Sequence, residues 1–243
     1  MRRLAVTSLF FILIAAFLAL GVWQVKRLAW KTDLIARVDA RIHAPPLPAP
    51  GPADWAKVNS DSDEYRRVTV RGHFLNDREA QVYTVSALGG GYWVMTPLQT
   101  DDKAIVFINR GFVPLDRRDP KSRADGQIAG EVAVTGLLRM PETKGWLFSQ
   151  ANDPAHDAWY RRDVAAIASS RGLSPVAPYF IDADAAPNPG GWPRGSLTVV
   201  HFPNSHLMYA FTWFSLVALL AGTGLWLNRE DLLRLLKVRK KRL

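Results

Sequence analysis

Two stretches of the chain are almost unbroken apolar sequence, Leu4 to Val22 and Leu207 to Leu227, and neither carries a charge. A bilayer core needs about 20 apolar residues at 1.5 Å rise each. Each stretch is therefore predicted to span a membrane, over residues 4–24 and 206–227. The helical pattern of the first span continues into "GVWQVKRLAWKTDLIARVDARI". There Trp23, Arg27 and Trp30 fall at i, i+4 and i+7 on one face, with Gln24 and Lys31 in a second row beside them. One helix is expected to about Ile42. The run "APPLPAPGP" then breaks it, because consecutive prolines cannot continue a helix.

Between the spans the period changes. "RRVTVRGHF" alternates apolar and polar positions, with a bulge expected at Gly72. "EAQVYTVSA", "GGGYWVMTPLQT", "KAIVFINRGFVPLD", "GEVAVTGLLR" and "APYFIDAD" read as further strands, and "GWLFSQ" as a short one. "WYRRDVAAIASSRG" has helical spacing and a terminal glycine, so a helix is expected near 158–171. Consecutive strands with few helices between them predict an antiparallel sheet or small barrel. The expected architecture is two transmembrane α-helices enclosing an α+β extracytoplasmic domain. The domain would cover 25–205, with the emerging helix at 25–42, a proline-rich connector at 43–53 and a β-rich core at 64–200.

Charge sets the orientation. The chain of 243 residues carries a net charge of +9. Acid and base nearly balance between the spans. Arg2 and Arg3 lie in the short N-terminus, 1–3, and Arg229, Arg234, Lys237, Arg239, Lys240, Lys241 and Arg242 in the tail, 228–243. The positive-inside rule then puts both termini in the cytoplasm. A tail of this kind suits membrane lipids with anionic headgroups, and no nucleic-acid partner is expected. The first span has only "ALG" as a small-x-small site, so an uncleaved anchor is expected rather than a signal peptide. The chain contains no cysteine, which excludes disulfides, thiolate metal sites and iron–sulfur clusters.

Enzyme motifs are missing: there is no G-x-S-x-G, H-E-x-x-H or P-loop, and Gly89-Gly90-Gly91 precedes a strand and reads as a hairpin turn. Asp153, His156 and Asp157 form an incomplete metal set in a polar loop, and His43 and His73 are isolated. No catalytic site is expected. At the start of the second span, His206, Tyr209, Ala210 and Trp213 share a helix face. An imidazole there is either a boundary residue among interfacial aromatics or a ligand at membrane depth. As a ligand set, His206 would hold haem iron, the aromatics would pack on the macrocycle, and Arg27 would pair with a propionate.

"NSHLMYAFTWF" resembles the N-x-H-x-x-Y-A-x-T-W-[FY] signature of the Surfeit locus protein 1 family, assembly factors of cytochrome oxidase. "GVWQVKRLAWK", "RRVTVRGHF" with Tyr65 before it, "GYWVMTPL" and "VFINRGFVP" resemble further motifs of that family in order, with Phe112 where tryptophan is commoner and Ser205 in place of an asparagine. The resemblance implies a multi-pass protein of a bacterial-type inner membrane with its central domain periplasmic. It implies transient binding of haem a and aid in inserting it into oxidase subunit I, with haem a synthase a further partner. The haem-binding histidine carries over to His206, its motif companions to Tyr209 and Trp213, and the glycine before V-x-T-P to Gly91. His201 is a candidate second ligand. The rival expectation is a membrane scaffold that binds no haem and holds an oxidase subunit or the synthase through its outer β domain and the Asn109-Arg110-Gly111 loop.

Overall fold

A computed structural model describes residues 2–145, 149–197 and 202–229. Most of the basic tail, residues 146–148 of "GWLFSQ" and His201 lie outside the described residues. Among those described are the helices α1 (Arg2–His43), α2 (Ser60–Asp63), α3 (Val164–Arg171) and α4 (His206–Leu227). The strands are β1 (Leu47–Pro48), β2 (Arg67–Phe74), β3 (Ala80–Ser86), β4 (Gly89–Gln99), β5 (Ile105–Pro114), β6 (Glu131–Arg139) and β7 (Val176–Ala183). The chain divides into two units, Met1–Ala36 with His201–Leu243, and Arg37–Val200.

The first unit is a helix pair. Both α1 and α4 are long and apolar enough to cross a membrane. Along α1 one row of less exposed positions runs through Phe10, Ile14, Phe17, Gly21, Gln24, Leu28 and Lys31; along α4 one runs through His206, Ala210, Trp213, Val217, Leu220 and Gly224. Both series step alternately by three and four residues, the 3.5-residue repeat of a seam between two helices. Phe17 meets Trp213 with ring centroids 5.5 Å apart, while Gln24 meets His206, so the helices run antiparallel. Large apolar side chains such as Phe11, Ile12, Phe211 and Leu219 point outward. That is the arrangement a helix pair takes when its surroundings are as apolar as its seam.

The second unit is built on one sheet in the order β1-β2-β6-β7-β5-β4-β3. It is mixed, where an antiparallel sheet is expected: β1 pairs with β2, and β5 with β7, in parallel. The chain returns through β6 and α3 before laying β7 beside β5, a connection long enough for parallel pairing. β2 also pairs with β4 at His73↔Gln99 and Phe74↔Leu98. Gly72 sits in regular register opposite Val132, and register shifts lie between Trp93 and Met95 and between Ile105 and Phe107 instead. The hairpin turn is at Ala87 and Leu88, so the three glycines open β4 rather than form the turn.

β5 is buried on both faces. Ile105 and Phe107 join Met95, Trp159, Ile167 and Phe180 in one core cluster, while Val106 and Ile108 join Val68, Leu98, Leu138 and Ile181 in the other. This explains why "KAIVFINRGFVPLD" reads as a continuous apolar run rather than an alternating one. It also corrects the expected contact loop: Asn109, Arg110 and Gly111 are strand residues, and all three are buried. Asn109 donates from Nδ2 to Asp182 Oδ1 at 2.7 Å, and the Gly111 amide donates to Asn109 Oδ1 at 3.1 Å. α3 is shorter than expected. Trp159 pairs with Val82 in an isolated bridge, so the helix begins only at Val164, where Asp163 Oδ1 accepts from the Ala166 amide at 3.1 Å. Gly172, at φ +65°, ends it.

Candidate functional site

The polar heart of the helix pair is one hydrogen bond. The Gln24 Oε1 and the His206 Nδ1 stand 2.7 Å apart. Gln24 is only 8% exposed, at the end of the apolar stretch of α1, just before Lys26 and Arg27. Burying an amide without a partner costs several kcal/mol, so the bond to His206 is what makes a glutamine tolerable there. His206 is the first residue of α4, and Lys31 Nζ donates to the Pro203 carbonyl just upstream of it. The segment that presents the histidine is thus tied to α1 from both sides of Ser205.

Close approach of the helices depends on small residues. Ala210, one turn after His206, is 3% exposed. A Cβ added at Gly21 would lie 2.7 Å from the Phe214 ring. One further turn along, Trp213 packs on Phe17 with its rings tilted by 31°. Its indole Nε1 is buried and has no hydrogen-bond partner.

The remaining predicted residues of this unit do not enter the seam. Trp23 is 55% exposed, Trp30 47% and Tyr209 53%. The Arg27 guanidinium lies over the Trp30 ring, 4.1 Å from its centroid. The row of α1 that faces α4 is therefore Gln24 and Lys31, the second row of the sequence pattern, and not Trp23, Arg27 and Trp30. The two outward rows are nonetheless related. Arg27 and Tyr209 each precede an inward residue, Leu28 and Ala210. In an antiparallel pair, positions so placed border the same side of the seam. Trp23, Arg27, Trp30 and Tyr209 thus line one aromatic flank beside the Gln24–His206 bond. Gln24 and Lys31 were visible in the sequence as polar residues beside the tryptophan row; only their partners show what they do.

Gly91 belongs to the sheet unit, at the start of β4, paired with Thr84 and Pro114. Among the described residues, His43 and His156 make local contacts. His43 Nδ1 lies 2.9 Å from the Asp39 carbonyl, and His73 is an exposed residue of β2. His156 Nδ1 lies 2.7 Å from Asp153 Oδ2, and that bond holds the Asp153 carboxyl below its ordinary value. Asp157 is drawn off to Trp159 and Arg171. Among the described residues no group of three or more histidine or carboxylate side chains is placed to hold a metal ion.

The profile of the SURF1 family matches residues 11–218. The chain is 36% identical over 237 residues to Surfeit locus protein 1 of Rattus norvegicus, covering 91% of this chain and 74% of the relative. It is 36% identical over 229 residues to the Homo sapiens protein of the same name, covering 86% and 72%. It is 36% identical over 225 residues to a SURF1-like protein of Monosiga brevicollis, covering 87% and 83%.

Proposed function

This chain belongs to the SURF1 family, and from that membership we propose that it is a non-enzymatic assembly factor for a haem-copper terminal oxidase. It holds haem a in passing and aids its insertion into subunit I. The observation that carries the reading is the Gln24–His206 pair, a bonded imidazole at the mouth of an apolar helix pair with an aromatic flank beside it.

The residues present fit such a cargo. His206 keeps one ring nitrogen clear of Gln24 for the iron, and imidazole is a common haem ligand. Tyr209, Trp23 and Trp30 offer exposed aromatic surface. Arg27 covers Trp30 with its face and keeps its N–H edges for a propionate. Trp213 contributes to the wall and holds a buried N–H donor without a partner. Haem supplies the redox group that the oxidase needs. This chain's part is to orient it, screen it from water and release it, and a single protein ligand suits release because an acceptor can displace it.

Orientation belongs to the same reading. α1 and α4 anchor the chain in a bacterial-type inner membrane with both termini cytoplasmic. The sheet unit lies on the periplasmic side, where it meets subunit I and haem a synthase. The basic residues at both chain ends support this. The test is to produce the protein alongside haem a synthesis, purify it and record its haem spectrum. Wild type is expected to carry haem a and His206→Ala to lose it; equal haem in both would sink the ligand assignment.

A further inference from the structure

We propose that Gln24 is the positioning residue of this site, selecting the tautomer of His206 and directing Nε2 to the iron. The proposal rests on the haem reading above and deepens it.

The chemistry follows from the atoms in contact. An amide oxygen only accepts, so the imidazole nitrogen 2.7 Å from Gln24 Oε1 must carry the proton. With Nδ1–H donated to Gln24, Nε2 keeps its lone pair, and the ring geometry directs it away from α1's glutamine. Ligating histidines generally have their other nitrogen held in this way, which sets both the tautomer and the angle of the ring. Gln24 is itself held. It is buried at the seam position of α1 between Gly21 and Leu28, and the Lys31–Pro203 bond fixes the chain just before His206. The amide is also distinct from the carboxylate that often fills this role. A carboxylate would pull the Nδ1 proton and make Nε2 a stronger donor. The neutral glutamine leaves an ordinary imidazole, a ligand weak enough to surrender its iron. On this view Gln24 tunes the site for transfer rather than for storage.

The test uses the full chain in lipid nanodiscs, with isotope-labelled histidine and His206 assigned by comparison with His206→Ala. Without haem, the ring-nitrogen shifts of wild type are expected to report Nδ1–H, and those of Gln24→Leu a shift towards Nε2–H. An Nε2–H ring in wild type overturns the proposal. With haem a bound, Gln24→Leu is expected to lose it to apomyoglobin about 10- to 100-fold faster, the usual effect of removing such a partner. Gln24→Glu is expected to release haem more slowly and to lower its midpoint potential. It keeps the polar contact, so it guards against a folding artefact in the leucine variant. Unchanged release and potential in both variants overturn the proposal. An Nδ1–H ring in a wild type that takes up no haem a overturns the haem reading and leaves the Gln24 contact standing.

Discussion

Gly91 runs so close to Val113 that a Cβ added to the glycine would lie 2.2 Å from the Val113 carbonyl oxygen and 2.5 Å from the Phe112 ring. Backbone cannot yield as a side-chain tip can, so the need for glycine here has a local cause in the pairing of β4 with β5.

Gly91→Ala is accordingly expected to destabilise the sheet unit by about 1–3 kcal/mol, the usual cost of forcing an extra methyl into a packed site. A larger side chain at the same position should cost more. Thermal unfolding of the purified chain measures it. A stable Gly91→Ala that has lost haem would instead give Gly91 a direct part in binding.

Glu79 and Arg123 form an ion pair buried at the edge of β3. Arg110 lies in the same field: burial draws its guanidinium down to about 10, Glu79 opposes that shift, and Arg123 adds to it. One carboxylate thus steadies two buried cations. Glu79→Gln is expected to cost about 3–5 kcal/mol, because it leaves those charges without compensation. Chemical denaturation of the variant checks this, with Asp77→Asn, an exposed carboxylate nearby in sequence, as a control expected to show little change.

Gly21→Leu should improve the helix propensity of α1 and yet separate α1 from α4, since the Phe214 ring occupies the space. The chain has no cysteine to interfere with a crosslinking assay. A Cβ at Gly224 would lie 3.8 Å from the Phe10 ring, so thiols introduced by Phe10→Cys and Gly224→Cys should face each other across the seam and be joined by a short bifunctional thiol crosslinker. Adding Gly21→Leu should reduce the yield of that crosslink.

Acid should weaken the sheet unit in part through Glu142. Burial alone would raise its carboxyl, but hydrogen bonds and charge from Arg162 outweigh burial and hold it below its ordinary value of 4.5. Arg162 also contacts Asp182 at 3.1 Å, which ties Glu142 to a buried carboxylate network. A folded value below the unfolded one contributes stability above pH 4.5, and that contribution is lost as pH falls through the folded value. The unfolding midpoint should therefore drop below that pH, and Glu142→Gln should flatten the dependence.

Much of this architecture is legible in residue order. The two apolar spans, the unbroken α1, and β2 to β7 all follow from periodicity and from proline and glycine punctuation. The turn at Ala87 and Leu88 was less legible, because the glycine run beside it is the stronger signal in sequence. The parallel placement of β7 beside β5 was not legible at all. Which strands become neighbours depends on the path of the chain through β6 and α3, and the strand pattern itself is the same for either direction. "NRG" reads as a polar loop because its residues are polar; it is buried where the Asp182 carboxylate accepts from Asn109, and the Gly126 carbonyl and the Asn188 side-chain oxygen accept from Arg110.

The candidate site divides in the same way. Residue order alone establishes that His206 opens an apolar helix and that aromatic and polar rows run along α1 near its level. A helical wheel assigns residues to rows but names no partner for any row. Only packing decided that Gln24, and not a tryptophan, meets the histidine. Gly21 and Ala210 let the backbones come close enough for an amide to reach the ring, while the bulk of Trp23 and Trp30 keeps them on the flank outside that narrow seam.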